Sequence, residues 1–372
     1  MCFAMSKVKF LNLFNWLFVS PVHVDNARGE LIAKQRNRVL NIVVIASLAT
    51  TVCWAEYVFI INNYEVATGS IATVVTFLKY AFNILLLFAV IFHLVRHGSD
   101  VVAVCNALIA VDQTIYAIQC PRRHCSFHFA SLKLTLALVF LWRTLFAAYQ
   151  LILQWYYEKV SITVSIIVSG NCSVELSLDL NTTFITFLGM YLSQCYEHLR
   201  LILKKNDNRL QMAVYEVLIR LDTFKRRLAH TFGFLLLVLV LEHFVVSSIH
   251  AFLLIVLIYM SENDISVIIN AGMLLAHIAI FYTLAYFYDS IKVKEAELKN
   301  ALKTMQYSNI EHQSIDQKDF YDLINLKLMM ESPKITACGL FEINLEVFYN
   351  VFAAIITYIV ILFQFRSFET SP

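Results

Sequence analysis

The sequence predicts an all-α integral membrane protein with seven transmembrane helices. Of its 372 residues, 59% are hydrophobic and only 15% are charged, and the mean hydropathy is +0.67. A globular chain of this length could not bury so much apolar surface. Seven apolar stretches are also long enough, or nearly so, to cross a bilayer core about 30 Å thick as helices of about 20 residues.

The seven predicted spans alternate with connections of very different length. The spans are residues 40–62, 71–95, 131–155, 174–196, 232–260, 265–288 and 347–365. The fourth span is the least regular, because Glu175 and Asp179 crowd its start and the apolar run 160–168 competes with it. That run is too short to cross a bilayer by itself.

Basic residues orient the seven spans, since Lys and Arg collect in cytoplasmic connections. The leading segment 1–39 and the connections after spans two, four and six carry most of them, whereas the opposite connections are nearly bare. The segment 1–39 is therefore predicted to be cytoplasmic and the tail 366–372 extracellular. The sequons at Asn171 and Asn181 lie in, or next to, a connection predicted to be outside, and they are candidate glycosylation sites.

Two long cytoplasmic connections, 197–231 and 289–346, carry apolar residues at helical spacing. Leu218 belongs to the stripe in the first connection and Leu302 to the stripe in the second. These stripes predict helices that continue below the bilayer and form an anchor region, packed within one subunit or between several. A solvated charged surface with no role in assembly is the alternative.

Several functional classes are disfavoured. A cytoplasmic amino end with seven spans is the reverse of a G-protein-coupled receptor, and the last span lacks the Asn-Pro-x-x-Tyr of that class. All prolines lie outside the spans, so the broken helices of transporters have little support. The chain has no Gly-rich phosphate loop, His-Glu-x-x-His or Gly-x-Ser-x-Gly motif, so no enzyme is predicted. No metal site, cofactor or nucleic-acid partner is expected.

Polar and aromatic residues at similar depth in spans two to six predict a pocket for a small molecule. The predicted orientation places them in the outer or middle part of the bundle. Aromatic faces beside amide and hydroxyl groups suit sugars and plant alkaloids alike. Ordinary packing is the alternative for each of them. The candidate ligand contacts are Tyr80, Tyr149, Gln150, Gln154, Trp155, Asn270 and His277.

The last span ends in polar residues that a helix surrounded by lipid would not carry. Thr357-Tyr358 is followed by five apolar residues and then by Gln364-Phe365. An unpaired amide in hydrocarbon costs roughly 2–7 kcal/mol, so Gln364 should face protein or water. Ile361 shares its helix face. A water-filled path explains this face, and a hydrogen bond to a neighbouring helix is the alternative.

Two motifs resemble those of insect gustatory receptors, a family related to insect odorant receptors and their co-receptor. One is Thr357-Tyr358-x5-Gln364-Phe365, and the other is the segment Thr336-Ala337-Cys338-Gly339-Leu340-Phe341-Glu342-Ile343-Asn344 that precedes the last span. The resemblance implies a ligand-gated cation channel in the plasma membrane of a sensory neuron. It also implies a homo- or heterotetramer with other gustatory receptor subunits, around a pore made by the last span.

The same resemblance assigns roles to residues and to the ligand. It implies a constriction at Ile361 and a polar ring at Gln364, an arrangement that could close by dewetting and replace ion hydration. It implies a small-molecule tastant, with bitter or pheromone-like compounds favoured over sugars. Two alternatives stay open. One is a transporter or carrier that uses Glu56, Lys79 and Arg143, and the other is a modulatory subunit that conducts only in heteromers.

Overall fold

The structure is a computed structural model, and it describes only part of the chain. Most of the segment 1–39 and much of the first and third predicted spans lie outside the described residues. The described residues are 22–25, 30–33, 39–40, 42–47, 50–51, 53–54, 71–118, 134, 137, 141–142, 144–145, 148–149, 152, 162–204, 208–259, 264–308, 322, 324–326, 329–330 and 332–369.

The described residues are mostly helical, as predicted, with two short β-hairpins that the sequence did not indicate. Helical residues also occur within 39–54 and 134–152. The long helices are α1 Ile71–Ile118, α2 Ile162–Leu203, α3 Asn208–Tyr259, α4 Asp264–Ser308 and α5 Leu345–Glu369. The hairpins are β1 Val22–Asp25 with β2 Glu30–Ala33 and β3 Thr336–Ala337 with β4 Phe341–Glu342, both antiparallel.

The helices extend well beyond the predicted spans. α3 has 52 residues, a length of ~78 Å at 1.5 Å per residue, against a bilayer core of about 30 Å. Within the described residues, three stretches are long and apolar enough to cross a membrane: Ala81–Ile115, Met212–Ile258 and Asn270–Thr304. Leu345–Ile361 is a shorter apolar stretch. α2 joins residues 162–168 of the apolar run and the predicted fourth span into one helix.

α2 lies at the centre of the bundle. Every residue from 178 to 193 is buried, whichever side of the helix it occupies. Burial on all sides is expected only of a helix surrounded by other helices, and α2 packs against α4, α1 and α3. The residues that made the fourth span look irregular are therefore inside the protein, where neighbouring side chains rather than lipid surround them.

α2 approaches α4 closely at Gly189. A Cβ built there would lie 2.5 Å from Cε2 of Tyr288, whose buried hydroxyl donates to the Ile185 carbonyl at 3.2 Å. We expect Gly189→Ala to destabilise the protein by about 1–3 kcal/mol, because the ring cannot yield without losing this bond. Thermal unfolding of the detergent-solubilised protein measures the effect. Tyr288→Leu in the same chain should recover part of the loss, and an unchanged melting temperature for Gly189→Ala would contradict the packing.

The two predicted cytoplasmic stripes pack inside the chain. Leu218 on α3 is 1% exposed and Leu302 on α4 is 2% exposed, and both belong to the main hydrophobic core. The part of the connection 197–231 that the structure describes is helical apart from a turn at Lys204, but 289–346 is helical only in part. It is helical to Ser308 and then contains the β3–β4 hairpin. Of the two packing arrangements predicted for these stripes, the structure shows the one within a subunit.

The β3–β4 hairpin packs against α3 and leads along the chain into the start of α5. A Cβ at Gly233 of α3 would lie 3.2 Å from the Cys338 nitrogen, so α3 and the hairpin backbone are in close contact. The turn uses left-handed backbone at Cys338 and Gly339. Asn344 then caps α5, since its side-chain oxygen accepts from the Val347 nitrogen at 2.9 Å. The segment 336–344 is therefore a hairpin followed by a helix cap.

Candidate functional site: a buried polar cluster and the last helix

Polar side chains from four helices meet in the interior of the bundle. We call this set the buried polar cluster. None of its members is more than 7% exposed. Such a set is costly inside a membrane protein unless its members pair with one another, and it marks a functional site by default. The members are Lys79 and Asn83 on α1, Glu175, Asp179 and Thr182 on α2, Glu242, His243 and His250 on α3, and His277 on α4.

Lys79 anchors one side of the cluster. Its Nζ lies 2.7 Å from Oε1 of Glu175 and 3.1 Å from Nε2 of His250. An ammonium group can only donate, so Nε2 of His250 accepts and the ring is in the tautomer that carries its proton on Nδ1. Asn83 also donates to Glu175, at 3.5 Å. The contacts of Lys79 and Glu175 thus link α1, α2 and α3.

His277 lies in the middle of the cluster. Its Nδ1 is 3.8 Å from Oε1 of Glu242 and 4.0 Å from Oδ1 of Asp179. Its ring stacks on that of His250 with centroids 5.7 Å apart and meets that of His243 edge-on at 5.8 Å. A single side chain of α4 is therefore in contact with groups from α2 and α3.

Thr182 orients His243 on the far side of the cluster. The Thr182 hydroxyl donates to the Leu178 carbonyl at 3.1 Å, so it accepts from Nε2 of His243 at 3.3 Å. Nδ1 of His243 then faces Oε2 of Glu242 at 3.3 Å. The ring stacks on Phe281 with centroids 5.4 Å apart. An aromatic wall thus lies directly beside the ionisable groups.

Two groups within the cluster have the spacing of metal ligands. They are Glu175, His250 and His277, and Glu242, His243 and His277, and within each group the ligand atoms lie within 4.8 Å of one another. Imidazole with carboxylate is a donor set that zinc accepts. Lys79 already places a positive charge on Glu175 in the first group. In the second group, Nδ1 of His243 and Nδ1 of His277 lie 3.3 and 3.8 Å from the Glu242 carboxylate, which are also the distances of ion pairs with protonated imidazole rings.

The structure brings only some of the predicted ligand contacts together. His277 belongs to the cluster, and Asn270 is buried two turns before it on α4. Tyr149 is helical and half-buried. Trp142, seven residues earlier, packs on Gly272 of α4. Gln150, Gln154, Trp155 and the side chain of Tyr80 lie outside the described residues, as do Glu56 and Arg143.

Four members of the cluster had no predicted role: Asn83, Glu175, Asp179 and Thr182. Glu242, His243 and His250 were already visible in the sequence as ionisable residues well inside apolar spans. A signal for those on α2 was present, because Glu175, Asp179, Thr182 and Thr186 follow the i, i+4, i+3, i+4 spacing of one helix face. Of the sequon asparagines, Asn181 is 3% exposed and its amide donates to the Ser177 carbonyl, so a glycan there would require α2 to open. The side chain of Asn171 lies outside the described residues.

The last helix, α5, leaves one face uncovered. It packs on α3 and α4, with Ile355 buried and Tyr358 against the Phe244 ring at 6.5 Å. Gln364 and Thr357 are exposed, and Tyr358 and Ile361 are 43% and 42% exposed. The hydroxyl of Thr357 donates to the Ala353 carbonyl at 3.0 Å. The side chain of Phe365 lies outside the described residues.

Comparison with solved structures identifies the fold. The structure of the insect olfactory receptor OR5 from Machilis hrabei superposes with a TM-score of 0.67 at 11% identity, covering 97% of this chain and 99% of that one. The structure of the same receptor in complex with eugenol superposes with a TM-score of 0.59 at 11% identity and the same coverage. At such low identity the likeness shows the shared fold. No curated protein matches the chain in sequence.

The family assignment rests on the sequence of nearly the whole chain. Residues 5–369 match the 7tm chemosensory receptor family. This family comprises receptors and not enzymes, in agreement with the absence of catalytic motifs. The resemblance seen in the segment 336–365 therefore extends over nearly the whole chain. The chain belongs to the 7tm chemosensory receptor family of membrane proteins.

Proposed function

We propose that this chain is a gustatory receptor subunit that forms a ligand-gated cation channel in the plasma membrane. Four copies, alone or with other gustatory subunits, would surround a pore lined by α5. The ligand would be a small organic tastant of the bitter or pheromone-like class, bound in the predicted outer half of the bundle. The channel would open when ligand binding shifts α3 and α4 against α5.

The observation that carries the channel assignment is a difference between two exposed helix faces. The exposed face of α1 along the predicted second span is apolar, with Leu78, Leu85 and Phe88 among its members, as suits contact with lipid. The exposed face of α5 combines Ile361 with Gln364 and Thr357. An amide side chain is disfavoured against lipid, which supports a face turned to water or to another subunit. The hydroxyl of Thr357 is satisfied within the helix and suits either setting.

The buried polar cluster supports the position of the ligand pocket. It joins α1, α2, α3 and α4 next to the aromatic ring of Phe281. Asn270 is buried on α4, and Tyr149 follows Trp142, which packs on Gly272 of α4. Ligand pockets combine apolar walls with a few convergent polar groups. The olfactory receptor OR5 has been solved in complex with eugenol, which supports a small organic ligand for this chain.

Gln364→Glu tests the pore. Four added carboxylates in a ring should raise the permeability of calcium relative to sodium, which moves the reversal potential of ligand-evoked current in mixed solutions to more positive values. Gln113→Glu on the exposed surface of α1 is the control, since it adds the same charge away from α5. Both variants are compared at equal surface expression.

The opposite result would favour a glutamine at a helix interface. In that case Gln364→Glu would leave the reversal potential unchanged at normal current, and Gln364→Leu would remove the protein from the surface. Under the proposal, Gln364→Leu reaches the surface and reduces conductance.

A further inference from the structure

A basic cavity lies at the predicted cytoplasmic end of the bundle, away from the buried polar cluster. It has a volume of about 210 Å³ and lies between α3, α4 and the segment 332–335 that leads into the β3–β4 hairpin. Four lysines line it, against two carboxylates, Glu295 and Glu342. The lysines are Lys225, Lys292, Lys299 and Lys334.

The inner wall of this cavity is a connected ion-pair network. Nζ of Lys225, a buried residue, lies 2.5 Å from Oε2 of Glu295. Lys299 donates to the Ser332 hydroxyl, and Ser332 donates to Glu295. Glu295 lies beyond the predicted end of span six. Burial alone would raise the pKa of the Glu295 carboxyl, but Lys225, Ser332 and Lys299 outweigh burial and hold that pKa below its ordinary value.

The outer wall carries two further lysines. Lys292 and Lys334 are both exposed. With Glu295 and Glu342 both ionised, the four lysines still leave the cavity an excess of two positive charges. An anion with several oxygen acceptors could contact the two exposed ammonium groups and the inner lysines together.

The predicted end of span six places the cavity at the headgroup layer of a bilayer. Lys292 and Lys299 follow the predicted end of span six at residue 288 by four and eleven residues, which is roughly 6 to 17 Å along the helix. Basic pockets between helices on the cytoplasmic side are known to suit anionic lipid headgroups. We propose that this cavity binds the phosphate groups of an anionic inner-leaflet lipid headgroup.

Such a lipid would act on the channel through the start of α5. Lys334 is two residues before β3, and Asn344 caps α5 directly after the hairpin. A headgroup held between Lys292 on α4 and Lys334 would fasten the hairpin to α4. This proposal depends on the predicted orientation of the chain, and it does not depend on the ligand pocket or on conduction.

Thermal unfolding of the full-length chain in nanodiscs tests the site without any tastant. Addition of phosphatidylinositol bisphosphate to phosphatidylcholine discs should raise the melting temperature, because a ligand that binds the folded state stabilises it. Lys292→Gln with Lys334→Gln should weaken the apparent affinity roughly 25-fold, about fivefold for each lysine. Lys294→Gln with Lys303→Gln, which removes two charges of α4 outside the cavity, is the matched control.

A second arm of the experiment separates a lipid from a free phosphate compound. Inositol trisphosphate and inorganic phosphate are added to discs of phosphatidylcholine alone. Stabilisation by the lipid that the cavity variant loses and the control keeps supports the proposal. Equal loss in both variants, no stabilisation in either arm, or stabilisation by the free compounds alone would overturn it. Ligand-evoked current from the same preparations reports on the channel separately.

Discussion

Replacing Lys79 with Met should cost the protein about 3–5 kcal/mol of stability, because the substitution leaves the Glu175 carboxylate buried without its ammonium partner. Both residues are almost fully buried, and their charged atoms are 2.7 Å apart. We expect a large loss of monodisperse protein after heating in detergent, measured by fluorescence-detected size exclusion. Lys303→Met, an exposed lysine on α4, should leave the profile unchanged.

The double variant Lys79→Met with Glu175→Met shows whether pairing is the cause. Replacing a buried ion pair by apolar groups of similar volume is often nearly neutral, so the double variant should recover most of the lost stability. His250 would still lose its Lys79 donor, so the recovery should be incomplete. If the double variant were less stable than Lys79→Met alone, the pair would not be the main contribution of these residues.

Replacing Ile361 with Ser should produce a several-fold increase in current without any ligand. A ring of isoleucine side chains can exclude water from a closed pore, and a ring of serines would hydrate it. Current without ligand, normalised to surface protein and compared with the ligand-evoked maximum, measures the effect.

Ile356→Ser is the matched control for this prediction. Ile356 is 51% exposed on the same helix, but it lies about 140° around the helix axis from Ile361. Only Ile361→Ser should conduct in the absence of ligand. Equal basal current in both variants would indicate a general disturbance of α5, and no basal current in either would place the constriction elsewhere.

Helical periodicity was a sound guide wherever apolar residues face protein along one stripe. The stripes that contain Leu218 and Leu302 were predicted from spacing alone, and both are buried in the core. Hydropathy was a poorer guide to α2, because it treats lipid as the surroundings of every span. Glu175 and Asp179 counted against that span, although they face Lys79 and His277 inside the bundle.

Long-range contacts were beyond the reach of sequence patterns. Lys79 and Glu175 were both visible as charges in apolar surroundings, but nothing in their spacing indicates that α1 and α2 bring them together. The strands β3 and β4 have two residues each, too few to show an alternating pattern. The turn at Cys338 and Gly339 depends on backbone conformation, for which glycine was the sole local indication.

Because the hairpin is attached to α3, the first turn of α5 is held in place while its far end can be displaced. The hairpin backbone rests on Gly233, and Asn344 holds the first turn of α5. Ile361 is seventeen residues after Asn344, so it lies ~26 Å from this fixed first turn. A tilt of α5 by about 5° would therefore displace Ile361 by ~2 Å. A small rotation at the base is thus amplified at the far end, where a displacement of this size is enough to separate side chains in van der Waals contact.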